Sequence, residues 1–248
     1  MPADLPDDLP GAGNRGEIVS GGCCTPSEYC IRRGLSTAFS TDWYDGGVNA
    51  SKDTQALTTV FLDRDGVLNR KMPEGTYVAR WSDFHLLPGA ADAVGRLNRA
   101  GLRVVVVSNQ RGVALGNYTA EDVRAIHAGL QEILAVHGAH IDAFYFCPHN
   151  KGECNCRKPL PGMFEQAAAE FPGLRADQSA MIGDSLSDIE FGRRLGMRTV
   201  LIETVSEARA GLEAAGKLAD WRFASLAQAV EALLASCAGH GEHPERLR

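Results

Sequence analysis

Asp63 and Asp65 stand two residues apart in Phe61-Leu62-Asp63-Arg64-Asp65-Gly66-Val67-Leu68-Asn69, directly after the apolar run from Thr58 to Leu62. That run is short, rich in β-branched residues and uncharged, which predicts a buried strand. Ligands of α/β sheets bind outside the carboxyl ends of the strands, so both carboxylates are expected at a ligand-facing edge. In extended backbone residues i and i+2 point to one side, and two crowded carboxylates repel unless a cation or a shared proton intervenes. A hard-cation site fits this pattern; a solvated Asp-Gly turn is the alternative for the stretch taken alone.

Two further strand ends collect polar groups. Val104-Val105-Val106-Val107 runs into Ser108-Asn109-Gln110-Arg111-Gly112, where a serine hydroxyl and free backbone N–H groups suit a phosphoryl oxygen. Met181-Ile182-Gly183-Asp184-Ser185-Leu186-Ser187-Asp188 brings Asp184 to the same crevice, with Asp188 placed to support it, and Arg157-Lys158-Pro159 adds positive charge. Carboxylates for a hard cation, a hydroxyl and a lysine together describe a phosphate site.

A second cluster reads C-x-H-x₄-C-x-C: Cys147, His149, Cys154 and Cys156. Three thiolates and one imidazole form a complete tetrahedral Zn²⁺ set with no position left for water, which marks a structural site. Such a site would clip a loop that has no core of its own, and this loop leads straight into Arg157 and Lys158. Cys23, Cys24 and Cys30 lack a fourth ligand nearby and read as uncommitted thiols. Cys237 and the scattered Trp43, Trp81 and Trp221 read as packing residues. His85, His127, His137 and His140 have no ligand spacing and read as surface or core histidines.

The elements that must position these groups alternate. Strands are expected at 58–63, 103–108, 143–147, 180–184 and 199–203, and helices near 89–100, 120–137, 162–171, 187–195 and 226–237. Pro88, Thr119 and Pro161 supply helix starts, and Gly101, Gly138 and Gly196 supply stops. This alternation implies an α/β fold, a doubly wound Rossmann-like parallel sheet with helices on both faces. Residues 1–55, rich in Gly, Pro, Ser, Thr and Asp, are expected to form a disordered extension; residues 56–238 form the domain, and 239–248, with His240 and His243, a flexible tail.

The 248 residues are 44% hydrophobic with a net charge of −6. They can bury one full core, and they carry no dense basic block of the kind that binds nucleic acid. No apolar run approaches the roughly 18 residues of a membrane span, and the acidic, Pro-rich start lacks the regions of a signal peptide, so a cytoplasmic protein is expected.

The four phosphate-site elements, in this order over about residues 58 to 204, resemble the haloacid dehalogenase superfamily of phosphotransferases. The resemblance implies Mg²⁺-dependent phosphoryl transfer. Asp63 would be the nucleophile that becomes an aspartyl-phosphate. Asp65 would be the general acid for the leaving oxygen and then the base that activates water. Asp63, the Asp65 carbonyl and Asp184 would hold Mg²⁺, while Ser108 and Lys158 would bind the phosphoryl group. With the cysteine loop, the chain is similar to the heptose-1,7-bisphosphate phosphatase and histidinol-phosphate phosphatase subfamily; Ser108-Asn109-Gln110 with Gly112, and Pro161-Gly162-Met163, lean to the heptose branch. Substrate contacts are then expected from Arg64, Asn109, Gln110, Arg111, Arg157 and Tyr77, the last within Glu74-Gly75-Thr76-Tyr77. The chain departs from the pattern in a longer 69–77 stretch, in Arg111 where a small residue is common, and in Ser185 where a lysine is common. Short spacings from Asp65 to Ser108 and from Cys147 to Lys158 leave no room for a large cap. The expectation is a capless, monomeric phosphatase of a small phosphorylated sugar. Histidinol phosphate is the alternative substrate, and a catalytically inert zinc-stabilised binding module is the alternative of another class.

Overall fold

The computed structural model describes residues 56–73, 75–203 and 209–237. The expected extension with Cys23, Cys24, Cys30 and Trp43, the expected tail, and Glu74 lie outside the described residues.

Six parallel strands form one sheet: β1 (Thr59–Leu62), β2 (Arg103–Asn109), β3 (Ala143–Cys147), β4 (Ser179–Gly183), β5 (Arg198–Ile202) and β6 (Trp221–Phe223), in the order β3-β2-β1-β4-β5-β6. Strand order reverses between β1 and β4. At that switch point the connections leave on opposite sides, and a crevice opens at the carboxyl ends of the strands.

All four residues of β1 are buried, so its side chains must be apolar on both faces or paired. Val60 and Leu62 point into a core shared with α1 (Ala90–Arg99), α2 (Ala120–Val136) and α6 (Leu226–Cys237), while Phe61 points to α3 (Gly162–Glu170) and α4 (Leu186–Leu195). This two-sided cover is the doubly wound arrangement. Among the described residues no domain is inserted in the connections after β1 and β3, so the crevice is uncapped.

The expected elements are present with ends shifted by a residue or so. α5 (Arg209–Leu218), β6 and two 3-10 turns, Trp81–Asp83 and Ala176–Gln178, were not expected. A small third core of Ile189, Leu201 and Ala215 fastens α5 to the sheet. Cys237, expected to pack, is exposed at the end of α6. His127 is a core histidine: its ring stacks on Phe144 at 4.5 Å, and burial, then Arg64, pushes its pKa down to about 3, so it stays neutral.

The helix starts carry the local logic of the site. Thr119 caps α2 by a reciprocal box, accepting from the Asp122 backbone N–H at 3.1 Å while Asp122 accepts from the Thr119 backbone N–H at 2.8 Å. This box anchors the chain directly after the 110–118 loop. Thr119→Ala is expected to cost about 1 kcal/mol, read as a lower denaturant midpoint with an unchanged slope.

Candidate active site

The crevice gathers charge at its floor. Asp63 directly follows β1, its backbone N–H donating to the Ile182 carbonyl at 2.9 Å, so the strand pairing holds its carboxylate beside the end of β4. Asp63, Asp184 and Asp188 are all buried, with carboxylate oxygens within 4.8 Å of one another. Three carboxylates buried this closely demand cations.

Lys158 supplies one. Its Nζ donates to Asp63 Oδ1 at 2.8 Å and to the Val107 carbonyl at 2.6 Å, and it pairs with Asp188 Oδ1 at 2.6 Å. The first two contacts are hydrogen bonds and the third is an ion pair. Burial works against the charge, but Asp188 and Asp63 outweigh it and hold the Lys158 pKa above its ordinary value. Asp188 is held in turn: its Oδ2 accepts from the backbone N–H and the hydroxyl of Ser185, at 3.1 and 2.6 Å, which caps α4. The lysine's own backbone is clamped by Asn109, which accepts from the Lys158 N–H at 3.0 Å and donates to its carbonyl at 3.1 Å.

A second cation was not anticipated from sequence. Lys71 Nζ lies 2.9 Å from Asp184 Oδ2. It comes from the loop that the sequence marked only as longer than its pattern. Gly66 makes room for Asp184: its φ is +99°, and a Cβ there would lie 2.1 Å from Asp184 Oδ2.

The two carboxylates of the first motif do not face one partner, as extended backbone would have it. The strand ends at Leu62, and the Arg64 carbonyl then accepts from the N–H groups of Val67, Leu68 and Asn69, which turns the chain. Asp63 is left on Lys158. Asp65 is turned onto Arg64 Nη2, at 2.9 and 3.0 Å, Asn69 Nδ2 at 2.9 Å and Gln110 Nε2 at 3.0 Å. Burial raises the Asp65 carboxyl, but Arg64, then Asn69 and Gln110, more than offset it, so it stays below the usual carboxylate range.

The other expected substrate contacts divide. Arg64 is wholly buried, so it has no surface to offer a sugar and serves as the partner of Asp65. Gln110 is buried too, with its amide shared among Asp65, Ser108 Oγ and Tyr118. Asn109, Lys151, Arg157, Lys158 and Ser187 line a cavity of about 440 Å³ beside the lysine, and Arg157 Nη1 is buried there without a hydrogen-bond partner. Arg111 donates from Nε to Asn150 Oδ1 at 3.0 Å, which ties the 110–118 loop to the cysteine loop. Tyr77 packs its ring 5.7 Å from that of Tyr118 at the rim. Sequence reading missed Lys71, Asn69 and Tyr118, which act through tertiary contacts and carry no local pattern.

Cys147, His149, Cys154 and Cys156 converge. Sulfur–sulfur separations are 3.4 and 3.5 Å, and His149 Nδ1 lies 3.3 Å from Cys156 Sγ and 3.8 Å from Cys147 Sγ. A tetrahedral ion with sulfur ligands at about 2.3 Å sets donors about 3.8 Å apart, so this donor set fits a metal ion. The neighbouring Cys156 thiol, above all, pulls the Cys147 thiol down to about 5 against burial, so a thiolate is already favoured.

The acidic floor also fits a cation. Burial, then Asp63, pushes Asp184 up to about 7, and burial pushes Asp63 up to about 6. These folded-state values lie above the unfolded value of 3.8, so the stability they contribute is present at low pH and lost as pH rises through 6 to 7. Asp184→Asn is therefore expected to stabilise the metal-free protein by about 1–3 kcal/mol at pH 8 relative to its effect at pH 4. Thermal denaturation at the two pH values checks this.

Similarity to known proteins agrees with this geometry. A HAD-hydrolase-like family model matches residues 155–229. The chain is 41% identical over 168 residues to a D-glycero-α-D-manno-heptose-1,7-bisphosphate 7-phosphatase of Mycobacterium tuberculosis, covering 67% of this chain and 86% of the relative. It is 36% identical over 193 residues to the β-anomer enzyme of Yersinia pestis, covering 73% of this chain and 98% of the relative. The crystal structure of a D,D-heptose 1,7-bisphosphate phosphatase from B. bronchiseptica, complexed with magnesium and phosphate, superimposes with a TM-score of 0.63 at 33% identity, over 72% of this chain and 98% of that one. On these similarities the chain belongs to the heptose-1,7-bisphosphate 7-phosphatase family of haloacid dehalogenase-like phosphoric monoester hydrolases.

Proposed function

We propose that this protein hydrolyses the C7 phosphate of D-glycero-D-manno-heptose 1,7-bisphosphate, in the supply of nucleotide-activated heptose, through an aspartyl-phosphate on Asp63. The observation that carries the reading is Lys158 Nζ, 2.8 Å from Asp63 Oδ1 and 2.6 Å from Asp188 Oδ1, inside a three-carboxylate cluster. The ammonium holds the nucleophile and is placed to meet the phosphoryl oxygens as they arrive.

Asp63 Oδ attacks phosphorus, and the bond from phosphorus to the C7 oxygen breaks, with that oxygen taking a proton from Asp65. Water then attacks the phosphorus of the aspartyl-phosphate as Asp65 takes the water proton, the bond from phosphorus to Asp63 Oδ breaks to restore the carboxylate, and inorganic phosphate leaves. The covalent intermediate divides one difficult displacement into two. Asp63, Asp184 and the Asp65 backbone carbonyl would hold Mg²⁺, which screens the repulsion between carboxylate and phosphate. Lys158 and Ser108 hold the phosphoryl oxygens, and Arg157, which lines the adjoining cavity, is offered to the rest of the substrate.

The Cys147, His149, Cys154, Cys156 set would hold Zn²⁺ as a closed structural site. Its role is positional: Cys156 is two residues from Lys158, so fixing the thiolate fixes the path of the lysine. A thiolate-rich loop stays reduced in the cytoplasm, where this reading places the protein, acting as a monomer.

The test is phosphate release from α- and β-heptose 1,7-bisphosphate, fructose 1,6-bisphosphate and histidinol phosphate by the protein loaded with zinc and magnesium. Turnover is expected on a heptose bisphosphate, with heptose 1-phosphate as product. Preference for histidinol phosphate would overturn the substrate, and phosphate lost from C1 would overturn the regiochemistry. Asp63→Asn should abolish phosphoryl-enzyme formation, whereas Asp65→Asn should slow turnover about 10²–10⁴-fold and still allow phosphoryl-enzyme from an activated aryl phosphate.

Metal analysis of the purified protein should give one zinc per chain. Stripping it with a chelator, or Cys154→Ser, should lower the melting temperature and raise KM, with recovery on zinc addition for the stripped protein alone.

A further inference from the structure

Tyr118 lies one loop away from the catalytic groups, yet it ends in the middle of their hydrogen-bond network. Its hydroxyl donates to Gln110 Oε1 at 2.7 Å. Gln110 Nε2 then donates to Asp65 Oδ2 at 3.0 Å and to Ser108 Oγ at 2.7 Å. Gln110 and Ser108 are almost wholly buried and Tyr118 is 7% exposed, so water does not compete freely for these bonds.

A carboxamide has two faces that look alike sterically and are opposite chemically. Turned over, the Gln110 carbonyl would face the Asp65 carboxylate and leave Ser108 without its donor. The phenol prevents this by giving Oε1 a donor of its own. Burial above all pushes the Tyr118 pKa up to about 12, so the phenol keeps its proton. With Nε2 donating, Ser108 Oγ is an acceptor on that side, and its single hydroxyl proton must be directed elsewhere. A phosphoryl oxygen offers only lone pairs, so a serine that binds it must donate.

We propose that Tyr118 is a positioning residue: through the Gln110 amide it sets the Ser108 hydroxyl as a donor to the phosphoryl group and keeps Asp65 in register with it. Gly112 belongs to the same device. A Cβ at Gly112 would lie 2.1 Å from Tyr118 Cε1 and 2.8 Å from its hydroxyl, so only glycine lets the phenol reach the amide. Tyr77 packs its ring 5.7 Å from that of Tyr118, and the Thr119 cap fixes the backbone next to it.

The inference rests on the phosphoryl-transfer reading of the site, and the experiment separates the two. Wild type, Tyr118→Phe, Ser108→Ala and the double variant, all loaded with zinc and magnesium, are compared on the heptose bisphosphate and for inhibition by inorganic phosphate. Tyr118→Phe removes one oxygen and should lower kcat/KM about 5- to 10-fold, weaken phosphate inhibition by a similar factor, and barely move the melting temperature. The decisive reading is the cycle: in the Ser108→Ala background, Tyr118→Phe should cost nothing further. Gly112→Ala, which displaces the phenol, should show the same dependence on Ser108 and serves where Tyr118→Phe is poorly folded. An unchanged Tyr118→Phe, or a loss that simply multiplies with that of Ser108→Ala, would overturn the proposal. A wild type that releases phosphate from no ester would instead overturn the reading beneath it.

Discussion

The structure turns on one electrostatic constraint: three carboxylates, Asp63, Asp184 and Asp188, buried within 4.8 Å of one another at the end of two central strands. Each buried carboxylate costs several kcal/mol unless paired, and three together cost more than their sum. The fold responds by driving a lysine into the cluster from the opposite side of β1. Much of what surrounds it can be read as support for that ammonium. The Asn109 amide clamps the Lys158 backbone, the Ser185 cap of α4 holds Asp188 where the lysine needs it, and the cysteine loop sets the approach of the chain that carries Lys158. Lys71 adds a second ammonium from the other side, on Asp184. Even so, Asp63 and Asp184 are pushed up to about 6 and 7. Two ammonium groups do not fully compensate the cluster, and a divalent cation is the group that would.

That constraint also explains the division of labour between Asp63 and Asp65. Were both carboxylates aimed at Lys158, four anions would crowd one ammonium. The turn built on the Arg64 carbonyl sends Asp65 to its own cation, the buried Arg64 guanidinium. The chain therefore holds two separate ion pairs side by side, one raised and one depressed in pKa, which is the pattern expected of groups with different protonic tasks.

Most of the strands and helices, and the residues that converge at the crevice floor and in the cysteine loop, were legible in the sequence. Carboxylates after a β-branched run, a serine after another and a cysteine–histidine spacing are local signals, and local signals survive in a linear text. The misses share a cause. β6 is three residues long with a half-exposed pattern, and α5 is fastened by the few contacts around Ala215, so neither shows a clear period. Lys71 functions through Asp184, far away in sequence, and Tyr118 through Gln110, eight residues before it and reached only after the loop folds back. Arg64 is expected from the resemblance to contact substrate; only the turn that buries it reveals its pairing with Asp65.

On the proposed reaction, Asp65 must first give a proton and later take one, although Arg64 holds it ionised. Leaving Arg64 entirely would strand a wholly buried guanidinium whose Nε and Nη1 already lack partners, a cost of about 3–5 kcal/mol. The acid form is reached more economically in place. An arriving phosphate dianion lies near Asp65 and, as a like charge, raises its pKa. Once the phosphoryl group is bound to Asp63 and the alcohol has left, part of that charge is gone and Arg64 again favours the carboxylate, which is the form that activates water. The arginine next to the acid is thus no obstacle to acid catalysis. It makes the proton's arrival depend on the substrate and its departure on the product, while Gln110, bonded to both Asp65 and Ser108, keeps the two groups that meet the phosphate moving as one.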